Sequence, residues 1–268
     1  MTDKHTSESG HWYTQEGEPM YTITGANGKE RNTTLADARK LGLVPSVTGI
    51  IGVSAKPALE RWKITEAIKS TMVLNIESDE TIDEYVSRCR EHSKLVGTKS
   101  AERGSEIHYE IEQGFVSGKE SEPYLAIMDW LDDNYPLETW IAEEAFCAKQ
   151  GYGGKIDLYS KRGIFIDFKT KDDLKGKDPK RLVYDEHGMQ LSAYAQGCGY
   201  EKAERVSIFI DREDTSLIAC HIWDDTHEKH KDMFNSLLRF WKLNKNYDPV
   251  EQWTKIESSI DKEEENVS

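Results

Sequence analysis

The stretch GGKIDLYSKRGIFIDFKTK, residues 153–171, decides the fold. Ile156, Leu158, Ile164, Ile166 and Phe168 are apolar at alternate positions, the pattern of strands with one buried face. Lys161-Arg162-Gly163 supplies a three-residue turn, so the segment reads as a β-hairpin. The register that keeps the apolar residues together pairs Ser160 with Ile164, Leu158 with Ile166 and Asp157 with Asp167; a slip of one residue would break it. Directly opposed residues carry their Cβ atoms roughly 5 Å apart, where like charges are destabilising. Lys169 joins the same face two residues on. Facing aspartates with no cation between them need compensation: a raised pKa, a neighbouring cation or a bound ion.

Working outward, TWIAEEAFCAK reads as a strand before the hairpin, RLVYDEHGMQLSAYAQGCGY as a helix after it, and RVSIFID and SLIACHIW as two further strands. A helix from Thr226 to about Asn244 closes this half. Upstream, HWYTQEGEPMYTITGANGKERNTT gives a short strand-turn-strand reading, and LADARKLG a brief helix closed by Gly42. In VPSVTGI, Ser46 or Thr48 is placed to cap a following turn. From Lys56 to about Gly118 the pattern is helical in successive segments, KPALERWKITEAIKSTMVL, SDETIDEYVSRCREHSKLV and GTKSAERGSEIHYEIEQGFVSG, followed by EPYLAIMDWLDDN. The expected class is α/β or α+β, with a mixed central sheet flanked by helices. Residues 11–250 form one unit, with a mainly helical front half (11–135) and a sheet-containing core (136–250). A lead (1–10) and an acidic tail (251–268, including ESSIDKEEENVS) are expected to be disordered.

The formal net charge of −14 favours solubility and disfavours a partner held by bulk electrostatics alone, although footprints are local and divalent ions neutralise acidic clefts. Cys89, Cys147, Cys198 and Cys220 lack the spacings of a zinc site or a compact disulfide framework, as expected of reduced thiols. No apolar run approaches membrane-spanning length and no signal peptide opens the chain. A cytoplasmic protein without membrane contact is expected.

The Asp157/Asp167 pair suits a hard cation, because Mg²⁺ is usually held by one or two carboxylates with waters and substrate phosphate. Lys169 beside it could orient a nucleophile or stabilise charge developing on phosphorus. The alternative is a solvated hairpin face with an incidental Asp–Lys pair. His108, on the helix before the sheet, shares a face with Gly104 and Glu112. Its imidazole could ligate a metal or touch the metal's water, although a lone helical histidine is more often structural. Gln190 and Tyr194 share a helical face in QLSAY, and there too a structural role competes.

Four short motifs follow in order: G-x-x-x-H (Gly104 to His108), G-x-x-D (Gly154 to Asp157), D-F-K-T (Asp167 to Thr170) and Q-x-x-x-Y (Gln190 to Tyr194). The series resembles the PD-(D/E)XK nuclease superfamily in its RecB-like branch, and is similar to phage-encoded exonucleases and the mitochondrial genome maintenance exonuclease. It runs from about Ser46 to Trp223, and Pro45-Ser46-Val47-Thr48 resembles a P-S-V-T segment of phage-type members. The resemblance implies a restriction-endonuclease-like fold and a Mg²⁺-dependent DNA exonuclease, with Mn²⁺ able to substitute, acting in phage-type recombination, replication or DNA degradation. By it, His108, Asp157, Asp167 and the Phe168 carbonyl ligate the metal, and Lys169 is the catalytic lysine. Gln190 and Tyr194 support substrate and site geometry. A further carboxylate occurs in some members; Glu144 and Glu112 are the alternatives. The eponymous proline is absent, since Ile156 precedes Asp157. The clustered cysteines of iron–sulfur members are missing, so no such cluster is expected.

Nucleic acid is expected to meet Ser46, Thr48, Arg103, Thr170 and Lys171, between a basic group after the hairpin (Lys175, Lys177, Lys180, Arg181) and one before His108 (Lys94, Lys99). Mixed solvated charge is the plainer account of these groups. Trp12, Tyr13, Trp62 and Tyr109 could stack on unpaired bases. DNA ends or single strands are the expected substrate, and single-strand-binding or replication proteins the expected partners. The competing readings are an endonuclease of the same superfamily, a non-catalytic nucleic-acid-binding or assembly module, and an acidic protein that blocks another DNA-binding protein.

Overall fold

The computed structural model describes residues 10–224 and 226–265; the expected lead at 1–9 lies outside them. The front half carries β1 (Trp12–Tyr13), β2 (Thr22–Thr24), β3 (Glu30–Asn32), α1 (Leu35–Leu41), β4 (Val44–Pro45) and α2 (Val47–Ile51). It continues through α3 (Pro57–Val73), α4 (Ile82–Ser117) and α5 (Glu122–Asn134). The sheet half runs β5 (Trp140–Ala148), β6 (Tyr152–Ser160), β7 (Ile164–Lys171), α6 (Asp185–Gly197), β8 (Glu204–Asp211) and β9 (Ile218–Ile222). Two helices, α7 (His227–Lys245) and α8 (Pro249–Glu265), end it.

The class is mixed α+β. Five strands lie in the order β5-β6-β7-β8-β9, antiparallel except for the parallel β7–β8 pair. The crossover through α6 makes that parallel pair possible, since parallel neighbours cannot be joined by a hairpin. Helices cover both faces. One core joins Ile156, Tyr152 and Phe165 to Leu191, Phe234 and Trp241, on the side of α6, α7 and α2. The other joins Leu158, Ile166, Phe168 and Ile208 to Ile107, Ile111 and Leu131, on the side of α4 and α5. Burial of β7 on both faces fits its apolar run, as in parallel strands generally.

Several expectations change. Ile156 and Leu158 do not share a face; they enter opposite cores. The segments 78–96 and 97–118 form one 36-residue helix, α4, opened by a Thr81/Glu84 capping box and closed by left-handed Gly118. No proline interrupts it, and its three glycines, Gly97, Gly104 and Gly114, are carried within the helix. The stretch expected as a disordered tail is helical through Glu265, with Trp253 donating to the Gly42 carbonyl at 2.7 Å. Trp12 and Tyr13 are buried, so neither is presented to a base. Trp62 and Tyr109 are exposed. Among the described residues no helix is long and apolar enough to cross a membrane, and the four cysteines are unpaired thiols.

Candidate active site

β6 and β7 form a ladder at Tyr159–Phe165 and Leu158–Ile166. Beyond Leu158 the strands part, and the Asp157 carboxylate takes the next donor, accepting from the Phe168 amide at 2.8 Å. The expected Asp157–Asp167 ladder pair is therefore replaced by an opening in the strand ladder, a gap in the pairing with the two carboxylates beside it. The cause lies one strand back. Glu143, across from Asp157 in the β5–β6 register, has φ 58°, the left-handed region, so β5 changes face there. β6 changes face at Asp157 in step, which sends Ile156 and Leu158 to opposite cores.

Asp167 is fully buried. Its Oδ1 accepts from Lys169 Nζ at 2.6 Å, so the pair has a neighbouring cation, one of the compensations the sequence left open. Its Oδ2 is buried without a hydrogen-bond partner among the described residues. Burial, and then the charge of Asp157, push the Asp167 carboxyl up to about 6, despite Lys169. Lys169 Nζ also donates to Gln190 Oε1 at 3.3 Å. Gln190 Nε2 in turn donates to Tyr194 Oη at 3.0 Å, so the amide orientation follows from its two partners. Burial keeps the Tyr194 phenol protonated.

The four sequence motifs meet in space. His108 Nδ1 lies 4.0 Å from Asp157 Oδ2, and its ring meets Phe168 edge-on at 6.2 Å. Gly104 lets α4 press on β7: a Cβ there would sit 2.9 Å from Thr170 Oγ1. Gly154 does the same for Tyr194, whose Cε1 would be 2.7 Å from an added Cβ. Each motif glycine thus clears room for a residue of another motif.

The remaining expected residues divide. Glu144 faces the other way, accepting from Tyr159 Oη at 2.9 Å. Glu143 takes the expected place beside Asp157, ion-paired with Lys155. Burial and the Asp157 charge push it up to about 7, and Glu112 adds to its negative surroundings. The adjacent Glu143-Glu144 pair was the available signal; only the kink decides which of the two turns inward. Ser46 is buried as the N-cap of α2, accepting from the Gly49 amide at 3.0 Å. Thr48 is partly exposed. Arg103 donates to the Arg212 carbonyl at 3.3 Å and lies near Glu106 and Glu110, so most of its charge is answered within the protein. Lys171 stands over the Tyr184 ring at 5.4 Å, and burial with Arg212 and Lys169 lowers its pKa.

Among the described residues no three His, Cys, Asp or Glu side chains converge closely enough to enclose a metal ion by themselves. The donors present nevertheless fit a hard cation completed by water and phosphate: two carboxylates, one with a buried oxygen lacking a partner.

No protein-family model matches the chain, and no curated protein matches it. Among solved structures it is similar to SSO0001, at 18% identity over 67% of this chain and 85% of that one, with a TM-score of 0.29. It is also similar to an alkaline exonuclease (LHK-Exo) from Laribacter hongkongensis, at 12% identity over 75% of this chain and 99% of that one, with a TM-score of 0.32. Scores this low carry no argument about fold or function.

Proposed function

We propose that the chain is a Mg²⁺-dependent nuclease that hydrolyses phosphodiester bonds in DNA, acting as an exonuclease. One observation carries this reading. A buried aspartate holds a lysine at 2.6 Å by one oxygen and keeps the other without a partner, in an opening it shares with a second aspartate. A merely structural Asp–Lys pair gains nothing from a second buried oxygen left unsatisfied, which costs about 1–3 kcal/mol. Asp157 and Asp167 would hold the cation, with the Phe168 carbonyl and His108 as neighbouring donors. A bound Mg²⁺ would polarise a phosphoryl oxygen and acidify a coordinated water.

The chain's own residues do the rest. Gln190 and Tyr194 hold Lys169 in place, so its ammonium is aimed before substrate arrives. From there Lys169 can orient the attacking water or meet the charge that develops on the phosphate. Lys171 and Thr170 continue along the same strand as contacts for the phosphate backbone.

Incubating purified protein with linear and covalently closed DNA, with Mg²⁺ or with chelator, tests the reading. Loss of linear DNA from its ends in Mg²⁺ only, greatly slowed by Lys169→Ala, is the expected result. Cutting of closed circles would make the enzyme an endonuclease. DNA binding without turnover, unaltered by Lys169→Ala, would leave a non-catalytic binding module.

A further inference from the structure

The α3–α4 arm is built the wrong way round for a solvated hairpin. The residues that α3 buries are polar, Glu66 and Ser70, and Ser70 Oγ meets His92 Nδ1 of α4 at 3.0 Å. Its apolar residues face out. Along α3 Ile64 is 61% exposed, Ile68 57%, Met72 80% and Val73 68%; past its end, Ile76 is 56% exposed and Ile82, opening α4, 73%. Single exposed apolar residues need no explanation, but a group of four at one tip does.

The tip is also stiff. Tyr85 Oη lies 2.9 Å from both the Thr71 and Leu74 carbonyls. Arg88 donates to the Asn75 carbonyl at 2.8 Å and to Glu80 at 2.7 Å, and the Thr81/Glu84 capping box fixes the start of α4. The apolar side chains therefore stand on a preorganised support, which lowers the entropic cost of binding.

Charge selects the occupant. Glu77, Asp79 and Asp83, all exposed, lie in the same turn as the apolar group. They would repel a phosphate backbone, and equally a second copy of the same tip. Arg88 is the cation within the tip, and it is answered there by Glu80 at 2.7 Å and Glu77 at 3.8 Å; at the arm's other end Lys56 and Lys63 line a cavity of about 630 Å³ and Arg103 reaches the sheet. From Gly104, packed on β7, to Ile82 is about 33 Å along the helix.

We propose that the tip of this arm is the docking site for a basic amphipathic helix of a partner protein. The helix would set its apolar face on Met72, Ile76 and Ile82, with its lysines or arginines against Glu77, Asp79 and Asp83. The site is separate from the opening at Asp157 and does not depend on the reaction assigned to it.

The test uses the full chain with Ile and Met methyl groups labelled for NMR, titrated with a synthetic helical peptide of leucine and lysine at amphipathic spacing. Shifts should concentrate on the methyls of Met72, Ile76 and Ile82. Met72→Asp with Ile82→Asp should weaken binding at least about tenfold, and Asp79→Lys with Asp83→Lys likewise. Glu251→Lys with Glu257→Lys, an equal charge reversal on α8, should leave it unchanged. Unchanged methyl spectra outside the tip show that each variant is folded. Shifts scattered over the surface, or equal weakening by the α8 reversal, reduce the effect to bulk attraction and overturn the proposal. Concentration-dependent shifts of the same methyls without peptide would make the occupant a second copy, and overturn it too.

Discussion

Lys169 takes its position from two side chains, Asp167 at 2.6 Å and Gln190 at 3.3 Å, and each does a different job. Asp167 supplies the countercharge and Gln190 the direction, through its own bond to Tyr194. Replacing Lys169 by alanine should therefore cut the rate of DNA hydrolysis by about 10²–10³ with little change in KM, as when one preorganised donor to a transition state is lost. Gln190→Ala should cost less, roughly tenfold in kcat, because the lysine remains but is less well aimed. Equal losses from the two, or a loss confined to KM, would mean that Lys169 binds substrate and does not assist the reaction. A carboxylate pair separates in the same way. Glu143→Gln should alter the metal concentration needed for half-maximal cutting, whereas Glu144→Gln, bonded to Tyr159 on the far face, should leave it unchanged. Steady-state assays over a Mg²⁺ titration read both.

The alternation of apolar residues was enough to place β6 and β7, their turn and the Leu158–Ile166 pairing in the sequence itself, and the four motifs read in series lie together in the structure. The kink was not legible. A left-handed glutamate inside a strand leaves no mark on periodicity, so strict alternation put Ile156 with Leu158 and could not separate Glu143 from Glu144. The 36-residue length of α4 was hidden by Gly97, which reads as a break unless the neighbouring turns are packed. The irregular β5–β6 pair has an energetic consequence. Beside it stand two carboxyl groups whose folded pKa values are raised, the buried Asp167 of β7 to about 6 from 3.8 and the partly buried Glu143 to about 7 from 4.5. A raised carboxyl pKa means that the fold prefers the neutral form. The stabilisation is complete below about pH 4 and is lost as pH rises through 6 to 7. The metal-free wild type should accordingly lose stability relative to Asp167→Asn with Glu143→Gln across that window, by roughly 1–3 kcal/mol. Mg²⁺ should restore it above pH 7 by binding the ionised form. Thermal unfolding from pH 4 to 8, with chelator and with Mg²⁺, measures this; parallel curves for wild type and variant would remove the buried carboxyls from the account.

At the scale of the whole molecule, the C-terminal helices tie the small N-terminal strands and helices to the sheet half. Tyr247 Oη lies 2.9 Å from the Ala38 carbonyl and 2.7 Å from that of Leu43, spanning both ends of the turn that closes α1. Trp253 Nε1 donates to the Gly42 carbonyl in that turn, and Trp241 meets Trp12 of β1 edge-on at 6.1 Å. Composition alone made residues 251–268 a solvated acidic segment, because its charges outnumber its apolar residues. Two of the few apolar side chains, Trp253 and Ile256, each come within 3.1 Å of where a Cβ on Gly42 would stand. Gly42 has φ 69°, so a side chain there would be strained as well as crowded. Trp253→Ala should therefore destabilise the protein by about 1–3 kcal/mol, less than a fully buried tryptophan would, because the ring is only partly covered. Gly42→Ala should act in the same direction by roughly 1–2 kcal/mol. Their combination should fall short of the sum, since both disturb one contact. Urea unfolding of the two single variants and the double variant measures that coupling. Strict additivity would show that α8 rests on the body without being held by this turn. DNA hydrolysis per folded molecule should be unchanged throughout, because α1 and α8 supply no side chain to the opening at Asp157.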